Sequence, residues 1–160
     1  TTEIYTLSLH DALPIFELMQ QNSRIPNVEI ARKVNMAPSA VLERVKKLEE
    51  RKIIQEYDAR INPKAIGLGL LAFIFVQGDH CGVIIGEALS QIPGVLEVHS
   101  IAGEDCFLVK VRARDTEDLG RLLSDHFKRI PGVRSTKTTI VLTTLKETSS
   151  LPLPGTPDNE

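Results

Sequence analysis

The chain has 160 residues, 42% hydrophobic and 25% charged, with a formal net charge of −2. This is ordinary globular composition with room for two small domains. It contains no run of about 18 or more apolar residues, so no transmembrane helix is expected, and its start lacks the pattern of a signal peptide. Cys81 and Cys106 have no metal-ligand spacing. A disulfide between them is open, but two small buried hydrophobes in a reducing cytoplasm is the preferred reading.

Residues 1–14 form an atypical segment: Thr1 to His10 has weak strand character, and Pro14 should interrupt any helix reaching upstream from Ile15. Helical spacing begins with Ile15, Phe16, Leu18 and Met19. Asn27 is placed to cap a second helix over 28–34, and Asn35 to take a left-handed turn after it. Pro38 suits the first position of a third helix reaching about Arg51, with Val41, Leu42, Val45 and Leu48 as its buried stripe. Two short β-prone pieces, 53–57 and 59–61, flank Asp58 and predict a hairpin. Three helices and a hairpin make a winged helix-turn-helix over 15–62, followed by a linker at 63–67.

The second half, 68–147, carries an internal repeat. Ile92-Pro93-Gly94-Val95 returns as Ile130-Pro131-Gly132-Val133. Each copy ends an amphipathic helix (81–91 and 116–130) and opens a strand. With strands over 68–77 and 106–113, the order is βαββαβ, the ferredoxin-like arrangement. The fold class is therefore α+β: a winged helix-turn-helix followed by a ferredoxin-like domain. The Pro-rich tail, 148–160, reads as disordered.

Charge divides unevenly. Residues 24–64 hold ten Lys and Arg against six acids, a local net of +4, leaving −6 for the rest. A basic module joined to an acidic one suits an anionic polymer at one end. With Val41, Val45 and Leu48 inward, the third helix presents Ser39, Ala40, Glu43, Arg44 and Lys47 to a DNA major groove, with Arg51 continuing the basic side. Arg24 and Arg32 lie where flanking helices meet phosphates, and Arg60 belongs to the wing. Glu43 either accepts from cytosine or pairs with Arg44 or Lys47, and pairing is favoured. The scarcity of aromatics argues against stacking on single strands. A winged helix used for protein contacts alone is the bland alternative.

The segment from Val34 to Glu49 resembles the Lrp/AsnC (feast/famine) regulators. Ile53 to Tyr57 and Asn62 to Gly67 resemble that family's wing and linker, and Gly103-Glu104-Asp105 its effector-domain turn. The resemblance spans roughly 15–147. It implies a cytoplasmic, nucleoid-associated transcription regulator that binds double-stranded DNA as a dimer, often assembled to octamers, and senses amino acids or related metabolites. Three features depart from the pattern: residues 1–14, Ala37 where a capping Ser is common, and Lys52 where Gly is preferred.

An amino-acid pocket needs carboxylate and ammonium acceptors and an apolar wall. The turn's backbone N–H groups suit the carboxylate, Glu104 or Asp105 the ammonium, and Ile101 the wall. By resemblance, His99, Thr138 and Thr139 line the same site, at a dimer–dimer contact. A plain β-turn is the bland reading of Gly103 to Asp105. The four His show no metal-binding spacing, and there is no nucleophile elbow, phosphate loop or dinucleotide fingerprint, so neither metal nor cofactor nor enzymatic activity is expected. The nearly unbroken apolar run Leu70 to Val76 wants cover on both sheet faces, which predicts an obligate dimer. Alternatives are a nucleoid-organising protein with little effector response, or a metabolite-binding module whose DNA binding is impaired.

Overall fold

Hydrophobic spacing in the first part produces three helices. The computed structural model, which describes residues 9–154, places them as α1 (Leu9–Gln21), α2 (Asn27–Lys33) and α3 (Pro38–Glu50). Ile15, Ile30, Ala31, Val41 and Val45 form their shared core, with Leu18, Met19, Ile25, Val34, Met36 and Ile54 packed around it.

Pro14 does not stop α1, contrary to expectation. A proline in a helix interior costs roughly 3 kcal/mol because it removes a backbone donor and crowds the preceding turn. Full burial of Ala12 and Ile15 on either side holds the helix through it. On the same turn, Arg44 Nη1 donates to the Asp11 carbonyl at 3.3 Å. Residues 9–14 are therefore helix rather than an atypical segment, while residues 1–8 lie outside the described residues.

Asn27 is the first residue of α2 and not its cap; Pro26 holds that position without a side-chain hydrogen bond. Leu42 is 57% exposed, so it leaves the expected stripe. Val41, Val45 and Leu48 at i, i+4 and i+7 share one face, and Leu42 is turned about 100° from Val41. Both α2 and α3 end in Schellman closures, which require a left-handed residue just past the helix. After α2, Asn35 takes φ 53° and Met36 N–H reaches the Ala31 carbonyl at 2.9 Å. After α3, Lys52 takes φ 57° and Ile53 N–H reaches the Leu48 carbonyl at 2.9 Å.

The expected wing hairpin is absent: residues 53–62 contain no strand. A single residue, Asp58, is too short a connection, since tight hairpins use about two loop residues. The N–H groups of Ile53 and Ile54 also return to Leu48, spending this segment on closing α3.

The chain divides into two compact units between Ala59 and Arg60, and rejoins the first at Glu147. The linker opens with a 3₁₀ turn, Pro63–Ile66, begun by Asn62 Oδ1 accepting from Lys64 N–H at 3.0 Å. Then follow β1 (Leu70–Gly78), α4 (Val83–Ser90), β2 (Val95–Ser100), β3 (Phe107–Ala113), α5 (Thr116–Asp125) and β4 (Val133–Ile140). The strands form one antiparallel sheet in the order β2-β3-β1-β4. This is the expected ferredoxin-like βαββαβ arrangement. Helix α4 starts two residues late, after Gly82, and α5 ends early, with a short 3₁₀ turn at Phe127–Arg129 completing its path.

The two repeat copies are the same turn twice. Val95 N–H bonds the Ile92 carbonyl and Val133 N–H the Ile130 carbonyl, each at 3.1 Å, and both glycines sit at φ 87°. Pro at the second position and a positive-φ Gly at the third define a type II turn. A Cβ on Gly94 would stand 2.8 Å from the Arg112 carbonyl, so glycine is needed there twice over.

Period-two burial sorts the sheet faces. Ala72, Ile74, Val76, Phe107, Val109 and Val111 face the helices and pack with Ile85, Leu89, Leu119 and Phe127. The opposite face carries half-buried Phe73, Phe75 and Leu108. The tail is not wholly without structure. Gln20 on α1 grips Leu151 at both backbone groups, donating to its carbonyl at 3.1 Å and accepting from its N–H at 2.6 Å. Residues 155–160 of the expected disordered tail lie outside the described residues.

Candidate functional site

Two sites follow from the sequence, one on each unit. On α3, burial of Val41, Val45 and Leu48 turns the other side outward. Ser39 and Glu43 are exposed, and Ala40, Arg44 and Lys47 are half-buried. Lys47 Nζ meets Glu43 Oε1 at 2.7 Å. Glu43 thus pairs with its i,i+4 neighbour, and the lysine's hydrogen bond holds the Glu43 carboxyl below its ordinary range. Arg44 spends one of its donors on the Asp11 carbonyl. A guanidinium has five N–H donors, so the fork is anchored and still has donors to offer a base or phosphate. Arg24, Arg32 and Arg51 are exposed on the same unit. Arg60, assigned to the wing by sequence, falls at the start of the second unit and is not part of a hairpin.

On the second unit, β2 runs into the turn at 101–105, and Ile101 N–H bonds the Cys106 carbonyl at 3.0 Å to close it. Gly103 sits at φ 148° with open space around the position of a Cβ. Gln77 Nε2 donates to the Glu104 carbonyl at 3.3 Å, and Asp105 Oδ2 lies 3.7 Å from Lys137 Nζ. Lys137 also stands 4.7 Å over the Phe75 ring. The turn thus leans toward β1 and β4. Gln77, Ser135 and Lys137 form its polar surroundings, with Ser135 Oγ donating to Gln77 Oε1 at 3.1 Å. Sequence reading missed all three. The signal was strand alternation: if Thr139 faces one way, Lys137 must too.

The other sequence-assigned residues do not converge in one chain. His99 pairs across β2 with Leu108, and its Nε2 lies 3.1 Å from Glu97 Oε2. Glu97 also takes Lys110 Nζ at 2.9 Å, and that lysine, then His99, holds its carboxyl below the ordinary range. Thr139 is opposite Phe73 on β4, the other edge of the sheet. Three strand spacings of about 4.8 Å separate the edges, roughly 14 Å. Thr138 pairs with Ile74 and so belongs to the helix-covered face, opposite to Thr139. The reading of both threonines as one lining is corrected by the pleat itself.

The cysteines are also corrected: Cys81 and Cys106 form a disulfide with Cα atoms 5.0 Å apart. Pairing of Val76 with Phe107 sets the end of β1 beside the start of β3, and the loop after Gly78 brings Cys81 back over it. Cys106 is buried and Cys81 exposed. Among the described residues, no group of three or more His, Cys, Asp or Glu is arranged to hold a metal ion. No described helix is long and apolar enough to cross a membrane.

Comparison with known proteins connects both units to one family. A winged helix-turn-helix DNA-binding model matches residues 15–55, and an Lrp/AsnC ligand binding domain model matches residues 72–151. The chain is 37% identical to the HTH-type transcriptional regulator FL11 of Pyrococcus horikoshii, covering 87% of this chain and 92% of that protein. It is 31% identical to the leucine-responsive regulatory protein of Escherichia coli, covering 86% of each. Among solved structures, a transcriptional regulator from Neisseria meningitidis in complex with L-Met superposes with a TM-score of 0.84. That match is 30% identical and covers 90% of this chain and 96% of the other.

Proposed function

This chain belongs to the Lrp/AsnC family of transcription regulators, and from that premise we propose how its two units divide the work. It is a DNA-binding regulator and not an enzyme, as its relatives are. The reader grips double-stranded DNA through the outward side of α3. Ser39 meets a phosphate or base edge and Ala40 a thymine methyl, while the free donors of Arg44 face guanine or phosphate. Arg24, Arg32 and Arg51 contact backbone phosphates. Lys47 exchanges Glu43 for a phosphate on binding, so Glu43 restrains affinity. The observation that carries this reading is the phase of α3: its buried stripe leaves Ser39, Ala40, Glu43, Arg44 and Lys47 on the opposite side.

The second unit takes a free amino acid at the 101–105 turn. The turn's N–H groups face the carboxylate, Asp105 or Glu104 takes the ammonium, and Ile101 provides apolar wall. The structure with L-Met in a relative supports an amino acid as the ligand class. The half-buried aromatic face of the sheet supports a homodimer, which assembles further as octamers do in this family. Such a protein works in the cytoplasm, where the nucleoid is.

The test is a gel-shift titration against genomic fragments at several salt concentrations. Lys47→Ala should weaken binding uniformly and lower the slope of log affinity against log salt by about one, while Glu43→Gln should raise affinity. If both variants bind as the parent does throughout, α3 is not the reading element. A thermal-shift screen of the twenty amino acids tests the effector half, since a ligand that binds only the folded state raises its stability.

A further inference from the structure

The reading above has no role for the Cys81–Cys106 bond, and its place in the fold is specific. Cys106 is the residue that closes the 101–105 turn: its carbonyl accepts from Ile101 N–H at 3.0 Å, and its own N–H bonds the Val76 carbonyl at 2.9 Å. Cys81 sits in the loop between β1 and α4, where Asp79 pairs with Arg134 of β4 at 3.0 Å and its N–H bonds the Gly132 carbonyl at 2.9 Å. The disulfide therefore ties the root of the effector turn to a loop anchored on β4. Both partners of a closed 25-residue span are held, and the pair accounts for every cysteine in the chain.

Exposure of Cys81 leaves one end of the bond open to a small thiol. A disulfide is opened or formed by a thiolate reaching a sulfur, so access decides which cysteine reacts first. Cys81 is exposed and Cys106 is buried at 3%. We propose that Cys81 and Cys106 are a thiol–disulfide modification site that sets the order of the effector turn, oxidation stapling it and reduction releasing it.

The chemistry balances with a low-molecular-weight disulfide as oxidant. The Cys81 thiolate attacks one sulfur of the small disulfide, forming a mixed disulfide and expelling one thiolate. The Cys106 thiolate then attacks the Cys81 sulfur, forming the intramolecular bond and expelling the second. Two protein thiols are oxidised to one disulfide, one small disulfide is reduced to two thiols, and both protons end on those leaving thiols. An excess of small thiol drives the same steps backwards. Because the turn carries the proposed amino-acid site, the consequence for binding rests on that reading, while the consequence for the turn's order does not.

The experiment uses the full chain in three forms: oxidised with glutathione disulfide, reduced with dithiothreitol, and Cys81→Ser. Cys81 is the position to replace because it is exposed, so the variant mimics the reduced state without opening a core cavity. Hydrogen exchange over 101–106 should be about tenfold or more faster in the reduced form and in Cys81→Ser than in the oxidised form. The amides of Ile74 and Val109 at the sheet centre should not change. Titration should find two thiols in the reduced chain and none after glutathione disulfide. Equal protection of the turn in all three forms, or thiols that stay titratable in glutathione disulfide, would overturn the proposal.

Calorimetry with L-methionine as probe separates this from the effector reading. A difference of about fivefold or more in affinity between the redox forms is expected, the low end of ordinary site-to-site coupling. Turn exchange that responds to redox with no L-methionine binding in either form leaves the modification site standing and removes L-methionine as the ligand. Equal L-methionine affinity with redox-insensitive exchange leaves the pocket standing and removes the modification site.

Discussion

Lys52 is the most informative position at which to perturb the reader. It sits just past α3 with φ 57°, and the closure there is complete: Lys52 N–H bonds the Glu49 carbonyl at 3.0 Å and Ile53 N–H the Leu48 carbonyl at 2.9 Å. A left-handed backbone costs an L residue with a long side chain about 1–2 kcal/mol, whereas glycine adopts it without penalty. Glycine loses about 0.5–1 kcal/mol of that gain through its greater freedom in the unfolded chain. Lys52→Gly should thus stabilise the reader by about 0.5–1 kcal/mol, which for a unit of this size is a rise in melting temperature of about 3–6 °C. Differential scanning calorimetry checks it, with Lys52→Ala as the control that removes the charge but keeps the Cβ. The companion Asn35→Gly should gain less, because asparagine tolerates the same conformation. If Lys52→Gly melts no higher than Lys52→Ala, the strain assigned to this closure does not exist.

Three further outcomes follow from local geometry. Ala37 holds the N-cap of α3 at ψ 141° with no side-chain hydrogen bond, so Ala37→Ser should add about 0.5–2 kcal/mol in urea unfolding. Gly94→Ala forces a Cβ to 2.8 Å from a backbone carbonyl at φ 87° and should cost about 1–3 kcal/mol, read as a lower urea midpoint with an unchanged slope. Partial burial, then the hydrogen bond to Glu49 at 2.7 Å, push the Tyr57 phenol up to about 12. Its folded pKa exceeds the unfolded value near 10, so its contribution to stability is complete below about pH 10 and is lost as pH rises toward 12. Subtracting the phenolate absorbance titration of Tyr57→Phe from the parent's should isolate that late transition.

What could be read from sequence was whatever rests on periodicity or turn chemistry. The stripe Val41, Leu42, Val45 and Leu48, of which Leu42 alone turns outward, and the repeat at Ile92 and Ile130 each specify geometry within a few residues. The structure returns them as a buried helix face and two type II turns. Asn35 announced its left-handed turn for the same local reason. What failed depended on partners far away in the chain. Pro14 has an unfavourable local propensity, but burial of Ala12 and Ile15 and a bond to the Asp11 carbonyl from Arg44, thirty-three positions after Asp11, outweigh it. The Gln20 clamp on Leu151 spans 131 positions, and a Pro-rich tail gives no local hint of it. The wing failed in the opposite direction. Its β-prone residues are real, but one residue between them cannot turn the chain. Two cysteines 25 positions apart became partners only when β1 and β3 were placed side by side.

The proposed effector site shows the same limit and leads to a final prediction. His99 and Thr139 share the open sheet face but lie on opposite edge strands, across rows that run Glu97–Lys110–Phe73–Thr139 and His99–Leu108–Phe75–Lys137. Roughly 14 Å of sheet lies between them, with the side chains of β3 and β1 filling the interval. If both residues line one amino-acid pocket, the pocket takes His99 from one copy and Thr139 from another. Variants His99→Ala and Thr139→Ala would then each lose L-methionine binding alone yet complement each other when mixed. In a two-fold contact, a mixed pair holds one pocket with both defects and one with neither. Random pairing of equal amounts makes about half the pairs mixed, so about a quarter of all pockets should be intact. Co-refolding the two variants and counting sites by calorimetry gives the answer. Recovery of about a quarter of the parent's sites establishes the shared pocket. No recovery, with each variant alone inactive, would place the loss inside single chains. Undiminished binding by His99→Ala alone would confine the site to the turn and its Gln77, Asp105 and Lys137 surroundings.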